Sequence, residues 1–314
     1  MGLSRSEKQM PKKKKRLRKV ILFLLLFLIV GGGVYAYSIY HSLNKAINTM
    51  HDPMDKHISK KRGSKVNLKK VEPFSVLLLG VDEREGDSGR SDTMILLTVN
   101  PHKESLQMLS IPRDTRTEII GKGTEDKINH AYAYGGVKMS MATVEHFLDI
   151  PIDYYVKINM EGFKDIVDAV GGIRVNNELA FSYEGKNFPK GSITLDGEEA
   201  LSFTRMRYED PRGDFGRQIR QRQIIQGVID KGASMSTLWN YDDIFQALGK
   251  NIRTNLTFDE MMTIQSKYKK AAKKIVQNEV KGEGKRIGKP WYYIVDDTEK
   301  DRLHDLLVDH LNLK

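Results

Sequence analysis

Residues 74–111 read FSVLLLGVDEREGDSGRSDTMILLTVNPHKESLQMLSI and contain three runs that are typical of β-strands. The runs are Phe74–Leu79, Thr93–Asn100 and Leu106–Ile111. The first two are apolar enough to be strands that are buried on both faces of a sheet. Since the three runs follow one another closely, the stretch predicts the beginning of a buried sheet.

Strand and helix patterns alternate along the rest of the chain. Further strands are predicted at Tyr154–Ile158, Ile173–Val175 and Trp291–Val295, with a hairpin or loop at Gly282–Lys289. Helices are predicted at Val137–Phe147, Gly162–Val170, Tyr241–Leu248, Phe258–Ala272 and Thr298–Leu311. This mixture predicts an α/β fold, a single α/β sandwich domain with a mixed central sheet that spans residues 73–314.

The stretch Phe203–Arg222, FTRMRYEDPRGDFGRQIRQR, carries six arginines and no lysine, although the whole chain has 33 Lys and only 18 Arg. A guanidinium group offers a fixed fork of donors for two oxygens of a phosphate, whereas a lysine offers a mobile point charge. The stretch therefore predicts a polyphosphate clamp. The alternative is a solvated charge run, or a set of structural ion pairs with Glu209, Asp210 and Asp214.

Two helices are predicted to converge on this stretch. Asp196 and the EEALSF run favour a helix that ends near Arg205, and a second helix follows the Pro211 and Gly213 turn with Asp214 as its cap.

On the second helix, a spacing of 100° per residue places Arg217 and Gln221 on one face with Ile224 and Val228. Arg222 points about 140° away from Arg217, so we leave it out of the site and expect Arg222→Lys to have little effect on activity.

The positive charge of the chain is concentrated at its beginning. Residues 1–19 contain nine Lys or Arg and one Glu, which is +8 of the formal +10, and the remainder carries 42 basic and 40 acidic residues. A near-neutral remainder argues against a nucleic-acid partner, although the pI of 9.4 alone would suggest one. The chain has no Cys, which excludes disulfides and a thiol nucleophile.

Residues 20–40 form 21 residues without a charge, which matches one transmembrane helix of about 20 residues. The positive-inside rule then places the basic head at 1–19 in the cytoplasm and the rest outside the cell membrane as a single-pass protein. The competing interpretation is a cleaved signal peptide, but no convincing A-x-A cleavage site is present. Residues 41–72 are polar and lysine-rich, and they predict an extracytoplasmic stalk before a domain that begins near Pro73.

Three loops at the ends of the early strands carry polar residues. Asp82 and Asp92 are candidate Mg²⁺ ligands, because Mg²⁺ prefers oxygen and often takes one or two carboxylates together with substrate phosphates. Arg90 and Arg113 would join the clamp. Each has a simpler alternative, since an Asp can cap a turn and Arg113 can pair with a carboxylate. His130 is as consistent with a structural role as with a catalytic one.

Six motifs, LLLGVD, GRSDTMILLTVNP, LSIPRDT, KINHAYAYGG, LSFTRMRY and GDFGRQIRQRQ, occur in an order that resembles the LytR-CpsA-Psr family. The resemblance covers about residues 74–231. It implies a phosphotransferase that moves a wall polymer, such as wall teichoic acid, from an undecaprenyl pyrophosphate carrier to a muramic acid 6-hydroxyl of peptidoglycan. It also implies a membrane anchor and an apolar pocket for the polyprenyl chain.

The matching motif positions carry roles onto this chain. The resemblance implies Mg²⁺ contacts for Asp82 and Asp92. Pyrophosphate contacts are implied for Arg90, Arg113, Arg205, Arg207, Arg217 and Gln221, and the predicted catalytic residues among them are Arg113, Arg205, Arg207 and Arg217. Two other functions stay open, a hydrolase that uses water as the acceptor and a non-catalytic, membrane-anchored regulator that binds polyanions. The signatures of P-loop nucleotide enzymes, zincins and elbow-type serine hydrolases are absent from the sequence.

Overall fold

The computed structural model describes residues 37–38, 41, 44–45, 48–54, 59, 61–82, 89–233 and 249–313. Its strands are β1 (Phe74–Val81), β2 (Ser91–Asn100), β3 (Ser105–Ser110), β4 (Arg116–Ile119), β5 (Thr124–Lys127), β6 (Tyr154–Ile158), β7 (Ile173–Asn177), β8 (Phe181–Tyr183), β9 (Lys186–Phe188), β10 (Gly191–Leu195), β11 (Ile252–Thr254), β12 (Ile275–Glu279), β13 (Glu283–Arg286) and β14 (Trp291–Ile294). Its helices are α1 (His130–Leu148), α2 (Met160–Ala169), α3 (Gly197–Arg205), α4 (Asp214–Ala233), α5 (Phe258–Lys267) and α6 (Asp297–Leu311), with short 3-10 helices at Leu68–Lys70 and Lys269–Lys273.

A six-stranded sheet in the order β11-β6-β1-β2-β3-β12 forms the centre of the fold. The pairs β1/β2, β2/β3 and β6/β11 are antiparallel, whereas β1/β6 and β3/β12 are parallel. The predicted α/β architecture with a mixed central sheet is therefore confirmed. The first three predicted strands lie next to one another, because short connections favour antiparallel neighbours.

Both faces of the sheet are buried, as the apolar runs predict. Leu77 and Leu79 of β1 point to the face that α1 and α6 cover, where they meet Val144 and Leu307. Val76 of β1 alternates to the opposite face, which packs against α5 and the 3-10 helix that follows it. Burying a side chain of this size contributes about 1.5–3 kcal/mol, so these two layers supply the main stabilisation of the sheet.

A third hydrophobic cluster joins α2, α3, α4 and β7–β10 beside the sheet, and its centre is Phe203 of α3. Helices α2 and α3 approach closely at Gly197, where a Cβ atom would lie 2.5 Å from the backbone oxygen of Lys164. Asp196 and Glu199 form a capping box at the start of α3. This third cluster holds the C-terminal end of α3, and with it Arg205, against the sheet.

Two helices differ most from their predicted bounds, whereas the other described helices shift by at most two residues. Helix α1 begins at His130 rather than Val137 and is kinked at Gly135 and Gly136, whose backbone angles are not helical. The predicted helix at Phe258–Ala272 ends at Lys267 and continues as the 3-10 helix. The predicted hairpin at Gly282–Lys289 is the antiparallel pair β13/β14.

Part of the predicted stalk belongs to the folded domain, which corrects the start expected near Pro73. Val66 and Leu68 are buried in the cluster on the α5 face of the sheet, and Met50 packs against Ile252. Arg62 forms an ion pair with the buried Asp153, at 2.7 Å from Nε to Oδ1. Apolar residues in a lysine-rich segment gave no periodic pattern, so the sequence did not reveal this packing.

The predicted cytoplasmic head and most of the predicted span at 20–40 lie outside the described residues, as does the predicted helix at Tyr241–Leu248. Within the part of the chain that the structure describes, no helix combines the length and apolarity that crossing a bilayer requires.

Candidate functional site

A β-bulge positions Asp92 at the end of the sheet. Gly80 of β1 pairs with Thr93, but the next residue, Val81, pairs with Ser91, so Asp92 has no partner across the strands. A bulge of this kind changes the direction of a side chain. As a result both Asp92 and its neighbour Thr93 line the same cavity, together with Asp82 at the end of β1.

Gly80 allows β1 and β2 to approach closely at this point. A Cβ atom on Gly80 would lie 2.9 Å from the Cβ atom of Thr93. The Thr93 hydroxyl in turn accepts a hydrogen bond from Nε2 of Gln221 at 2.8 Å. The glycine therefore supports the contact between the sheet and α4.

The predicted two-helix arrangement brings Arg205 and Arg217 to this cavity. Helix α3 ends at Arg205 as predicted, and a turn closed by the Gly213 amide and the Asp210 carbonyl leads into α4. Asp214 is the first residue of α4, and its carboxylate lies 2.7 Å from Arg217.

The cavity has a volume of about 200 Å³ and is lined by both charged and apolar side chains. The charged and polar side chains are Asp82, Asp92, Arg205, Arg217, Gln221, Thr93, Thr204 and Asn159. The apolar side chains are Leu78, Leu79, Val81, Ile158, Met160, Phe163, Leu201 and Ile225. Such a cavity can hold both an anionic group and a hydrocarbon chain.

Asp92 is held by two arginines. Arg113 donates from Nη1 to Oδ1 of Asp92 at 2.9 Å, and Arg217 donates to the Asp92 carbonyl at 3.4 Å. Burial would lower the pKa of Arg113, but Asp92, Asp214 and Asp114 together raise it above its usual value. Contacts among Arg113, Asp92 and Arg217 thus join the start of β2 to α4.

Three guanidinium groups repel one another at this position. Burial lowers the pKa of Arg217, and the nearby Arg113 and Arg207 lower it further, while Asp214 and Asp92 oppose the change. Collecting buried like charges costs free energy unless an anion neutralises them. The cluster is therefore better suited to a multiply charged anion than to the protein's own carboxylates alone.

Buried polar atoms that lack a hydrogen bond are concentrated around this cluster. Among the described residues six such side-chain atoms occur; those of Arg62 and Asp214 lie 2.7 Å from an oppositely charged group, and the other four belong to Ser91, Arg113, Asn129 and Arg217. Native proteins satisfy nearly all buried polar atoms, and exceptions often mark a ligand or water site. Sequence reasoning missed Ser91 and Asn129, although both stand within the GRSDT and KINHAYA motifs.

Arg207 and Arg90 are the more open members of the predicted set. Arg207 is half-buried, donates to the Tyr208 hydroxyl at 3.1 Å and lies 4.8 Å from the centre of that ring. Arg90 is exposed at the residue before β2. Arg205 contacts the Met160 sulfur and lies 3.5 Å from Glu184.

The other arginines of the predicted clamp are structural. Arg220 is buried and donates to Asp210 at 2.6 Å, and Arg212 donates to the same carboxylate. Burial would raise the pKa of Asp210, but the hydrogen bonds from Arg212 and Arg220 lower it to about 2. The interpretation of the stretch as structural ion pairs is therefore correct for Arg212 and Arg220, and the clamp interpretation fits Arg205 and Arg217.

Arg222 lies outside the cavity, as predicted, but it is not a neutral position. Its side chain is buried and donates to Ser110 on β3 and to Gln277 and Glu279 on β12. Helix α4 is fastened to the sheet edge through these bonds. The prediction that Arg222→Lys has little effect on activity stays a prediction, but we expect a loss of stability, because a lysine cannot keep three partners in this geometry.

The face of α4 that continues the site also differs from the prediction. Arg217 and Gln221 are followed along the cavity by Ile225. Ile224 and Val228 instead pack in the third hydrophobic cluster. On a helical wheel at 100° per residue, Ile224 and Ile225 lie on either side of the face that Arg217 and Gln221 share. The sequence alone therefore did not show which of the two isoleucines continues the cavity.

His130 has a carboxylate partner next to the site. Its Nδ1 lies 2.8 Å from Asp126, which also accepts from the Tyr134 hydroxyl at 2.7 Å. Burial would raise the pKa of Asp126, but these hydrogen bonds hold it below its usual value. The Asn129 amide donates to the Arg113 carbonyl, so this group borders the clamp.

The residues present fit a Mg²⁺ ion that also binds phosphate. Asp82 and Asp92 line one cavity. Arg113 donates to Oδ1 of Asp92, so Oδ2 is the oxygen of that carboxylate that could bind a metal. Two carboxylates with substrate oxygens are a usual Mg²⁺ environment. No group of three or more acidic, His or Cys side chains suited to a metal occurs within the described part of the chain.

A second cavity of about 370 Å³ lies between residues 51–66 and β6, and it contains none of the predicted site residues. Its lining includes Asp153, which Arg62 already neutralises. The cavity with the arginine cluster is therefore the candidate site.

Known proteins resemble this chain along most of its length. The polyisoprenyl-teichoic acid–peptidoglycan teichoic acid transferase TagU of Bacillus subtilis is 56% identical over 85% of this chain and 86% of its own length. The crystal structure of B. subtilis TagU superposes with a TM-score of 0.63 at 53% identity, covering 77% of this chain and 98% of that one.

A structure of TagT bound to LIIa-WTA superposes with a TM-score of 0.72 at 31% identity, covering 84% of this chain and 100% of that one. The model of the LytR_cpsA_psr family matches residues 37–308. This chain belongs to the LytR-CpsA-Psr family.

Proposed function

We propose that this protein is a phosphotransferase that moves an anionic wall polymer, such as wall teichoic acid, onto peptidoglycan. The donor is the polymer on an undecaprenyl pyrophosphate carrier, and the acceptor is a muramic acid 6-hydroxyl. The observation that carries the proposal is the cavity that Arg205 and Arg217 line together with Asp82, Asp92 and a set of apolar side chains. The names of the TagU relatives support the same assignment.

The bond changes are those of a phosphoryl transfer. The acceptor hydroxyl oxygen bonds to the phosphorus that carries the polymer, and the bond from that phosphorus to the bridging oxygen breaks. Polyprenyl phosphate leaves with the electron pair, and the hydroxyl proton passes to a base or to water. Such a reaction requires positioning and charge neutralisation more than a nucleophilic side chain.

The arginines supply both requirements. Arg217 and Arg113 are partly buried and both contact Asp92, so their donors are held in place where non-bridging oxygens could bind. Arg205 closes the cavity from α3, and Arg207 and Arg90 reach the donor from the rim. The hydrogen bond from Gln221 to Thr93 holds α4 against β2 where both residues line the cavity.

Asp82 and Asp92 would hold a Mg²⁺ ion beside the pyrophosphate. A bound Mg²⁺ ion neutralises phosphate charge and orients the leaving group. The bond from Arg113 keeps the Asp92 carboxylate in place for this role.

The apolar side chains of the cavity would form a wall for the first isoprene units of the carrier. Leu78, Ile158 and Phe163 supply part of this wall from the sheet and α2. A lipid carrier requires a membrane nearby, which agrees with the predicted span at 20–40 and a domain on the outer surface. Protease added to intact protoplasts should remove the domain, and a protected domain with a cleaved basic head would reverse this topology.

The decisive experiment is turnover of a lipid-linked pyrophosphate donor with and without peptidoglycan. We expect polymer to become attached to peptidoglycan, with release of polyprenyl phosphate. Release of free polymer at the same rate without peptidoglycan would make the protein a hydrolase. Binding of the donor without any turnover would make it a polyanion-binding regulator.

A further inference from the structure

The β13/β14 hairpin carries an exposed basic surface that the proposed clamp does not use. Residues 281–291 read KGEGKRIGKPW, and all of them are exposed. Among the described residues, no side chain forms an ion pair with Lys285, Arg286 or Lys289. A solvated surface would explain the charges alone, so the arrangement of the aromatic residues decides what the hairpin can bind.

One face of the hairpin combines an indole and a guanidinium group. Arg286 is opposite Trp291 and Gly284 is opposite Tyr293, so the four residues share a face. Trp291 lies directly over Gly284, since a Cβ atom there would be 2.6 Å from the indole ring. Trp291 is 41% exposed although it is the largest side chain of the hairpin. The indole is therefore a rigid, open platform beside a cation.

The platform is continuous with the clamp. The rings of Trp291 and Tyr293 are 6.5 Å apart, and those of Tyr293 and Phe215 are 5.6 Å apart. Phe215 stands two residues before Arg217 in α4. The Tyr293 amide also donates at 2.8 Å to the carbonyl of Asp114, the residue after Arg113. Packing through the buried Tyr293 therefore fixes the position of the platform relative to the phosphate-binding residues.

The chemistry of this face fits a glycan whose attached peptides carry carboxylates. The C–H face of a sugar ring stacks on an aromatic ring, and the guanidinium fork of Arg286 binds a carboxylate. A polyol phosphate polymer needs cations but no aromatic platform, so the indole favours the sugar chain. We propose that the Trp291–Arg286 face binds the peptidoglycan glycan strand that presents the acceptor hydroxyl. This inference rests on the proposed function and names its acceptor surface.

The test measures binding of the full-length protein in detergent to sacculi from which the anionic polymers have been stripped. Trp291→Ala and Arg286→Ala should each weaken binding by at least about fivefold, as truncated anchor residues do. Lys285→Ala is the matched control. It removes one positive charge, as Arg286→Ala does, but Lys285 lies opposite Tyr292 on the other face of the hairpin. It should bind within about twofold of wild type, since exposed charges away from a contact contribute little.

Three results would overturn the inference. The first is equal weakening by Lys285→Ala and Arg286→Ala with no effect of Trp291→Ala, which would indicate a diffuse charged surface. The second is loss of binding to soluble teichoic acid with binding to sacculi unchanged, which would assign the face to the donor polymer. The third is wild-type protein that does not bind stripped sacculi at all.

A parallel turnover assay separates this inference from the proposed function. If Trp291→Ala binds sacculi and transfers polymer as the wild type does, the acceptor surface is wrong and the transferase stands. If the wild type turns over no lipid-linked donor but Trp291→Ala still loses sacculus binding, the proposed reaction is wrong and the glycan surface stands.

Discussion

Arg113 and Asp92 form an ion pair of 2.9 Å between Nη1 and Oδ1 at the point where β2 bulges away from β1. The pair joins a predicted phosphate ligand to a predicted metal ligand. It leaves Oδ2 of Asp92 as the oxygen that can meet a cation, and it aligns the guanidinium group along the cavity. Changes to either residue should therefore affect both charge and geometry.

The first prediction concerns the metal. Asp92→Asn should raise the Mg²⁺ concentration needed for half-maximal transfer by about ten to a hundred fold, because an anionic ligand and its positioning are both lost. Transfer rates titrated with Mg²⁺ in chelator-treated protein measure this shift. Asp301→Asn, at an exposed position of α6, is the control. An unchanged Mg²⁺ dependence in both Asp82→Asn and Asp92→Asn would remove the metal assignment.

The second prediction concerns guanidinium geometry. Arg217→Lys keeps the charge but loses the fork, and the loss of a charge-assisted hydrogen bond of about 1.5–3 kcal/mol should slow transfer about ten to a hundred fold. Arg174→Lys is the matched control, since Arg174 is exposed on β7. Circular dichroism verifies the fold of each variant. Equal, near-wild-type rates would mean that the clamp acts only as a positive surface.

The third prediction concerns the close approach of β1 and β2. Gly80→Ala should push Thr93 away and break its bond with Gln221, with a loss of about 1–3 kcal/mol in the free energy of unfolding and slower transfer. Gly232→Ala, where a Cβ atom meets nothing within 4 Å, should change stability by less than about 1 kcal/mol. Urea unfolding and initial rates measure both effects. Wild-type values for Gly80→Ala would show that the sheet yields at this point.

The fourth prediction concerns the separate effects of Arg222 on stability and on the rate of transfer. Arg222→Lys should lower the free energy of unfolding by about 1.5–3 kcal/mol, because buried bonds to Ser110 and Glu279 are lost. Transfer at a temperature where the variant is folded should stay near wild type, since the side chain lies away from the cavity. Thermal and urea unfolding test the first part. A strong loss of rate in fully folded protein would place Arg222 in the site after all.

The fifth prediction is a pH dependence from His310. This buried imidazole lies between the hydroxyls of Thr98 and Ser105, at 2.8 and 3.0 Å. Burial, assisted by Lys103, lowers the pKa of His310 to about 4. The unfolded chain, with a pKa of about 6.5, binds the proton more readily between these values. Stability from this group is therefore complete above pH 6.5 and is lost as the pH falls towards 4.

The expected size of this effect is about 2–3 kcal/mol between pH 6.5 and 4. Urea unfolding of wild type and His310→Gln across this range measures it. The variant should be less stable at pH 7 but should show a shallower loss on acidification. Parallel curves for the two proteins would show that His310 does not contribute to the pH dependence.

Much of the fold could be predicted because it depends on local pattern. Apolar runs marked β1, β2 and β3, and the Asp196 to Glu199 spacing marked the start of α3 with its capping box. The edge strands β11 and β12 were missed, since three to five residues with mixed polarity carry no clear period. The burial of Val66 was missed because its partners are distant in sequence.

By itself, the sequence determined an α/β fold with a buried mixed sheet and an arginine cluster of a composition that suits phosphate. Strand periodicity, capping residues and the absence of lysine are local properties, so they can be read without a structure. The motifs also indicated the family, because the residues of each motif and the order of the motifs can be read from the sequence without knowledge of tertiary contacts.

Only the tertiary structure decided which arginines serve the cavity. Arg217 donates to the main-chain carbonyl of Asp92, which lies in a one-residue bulge of the β1/β2 register, and Arg113 binds the Asp92 carboxylate. Arg220 and Arg222 lie in the same arginine-rich stretch and on the same helix as Arg217. Arg220 nevertheless binds Asp210, and Arg222 binds Glu279 on β12. A guanidinium group takes its role from the polar partners that packing brings to it, and those partners lie up to 125 residues away in sequence.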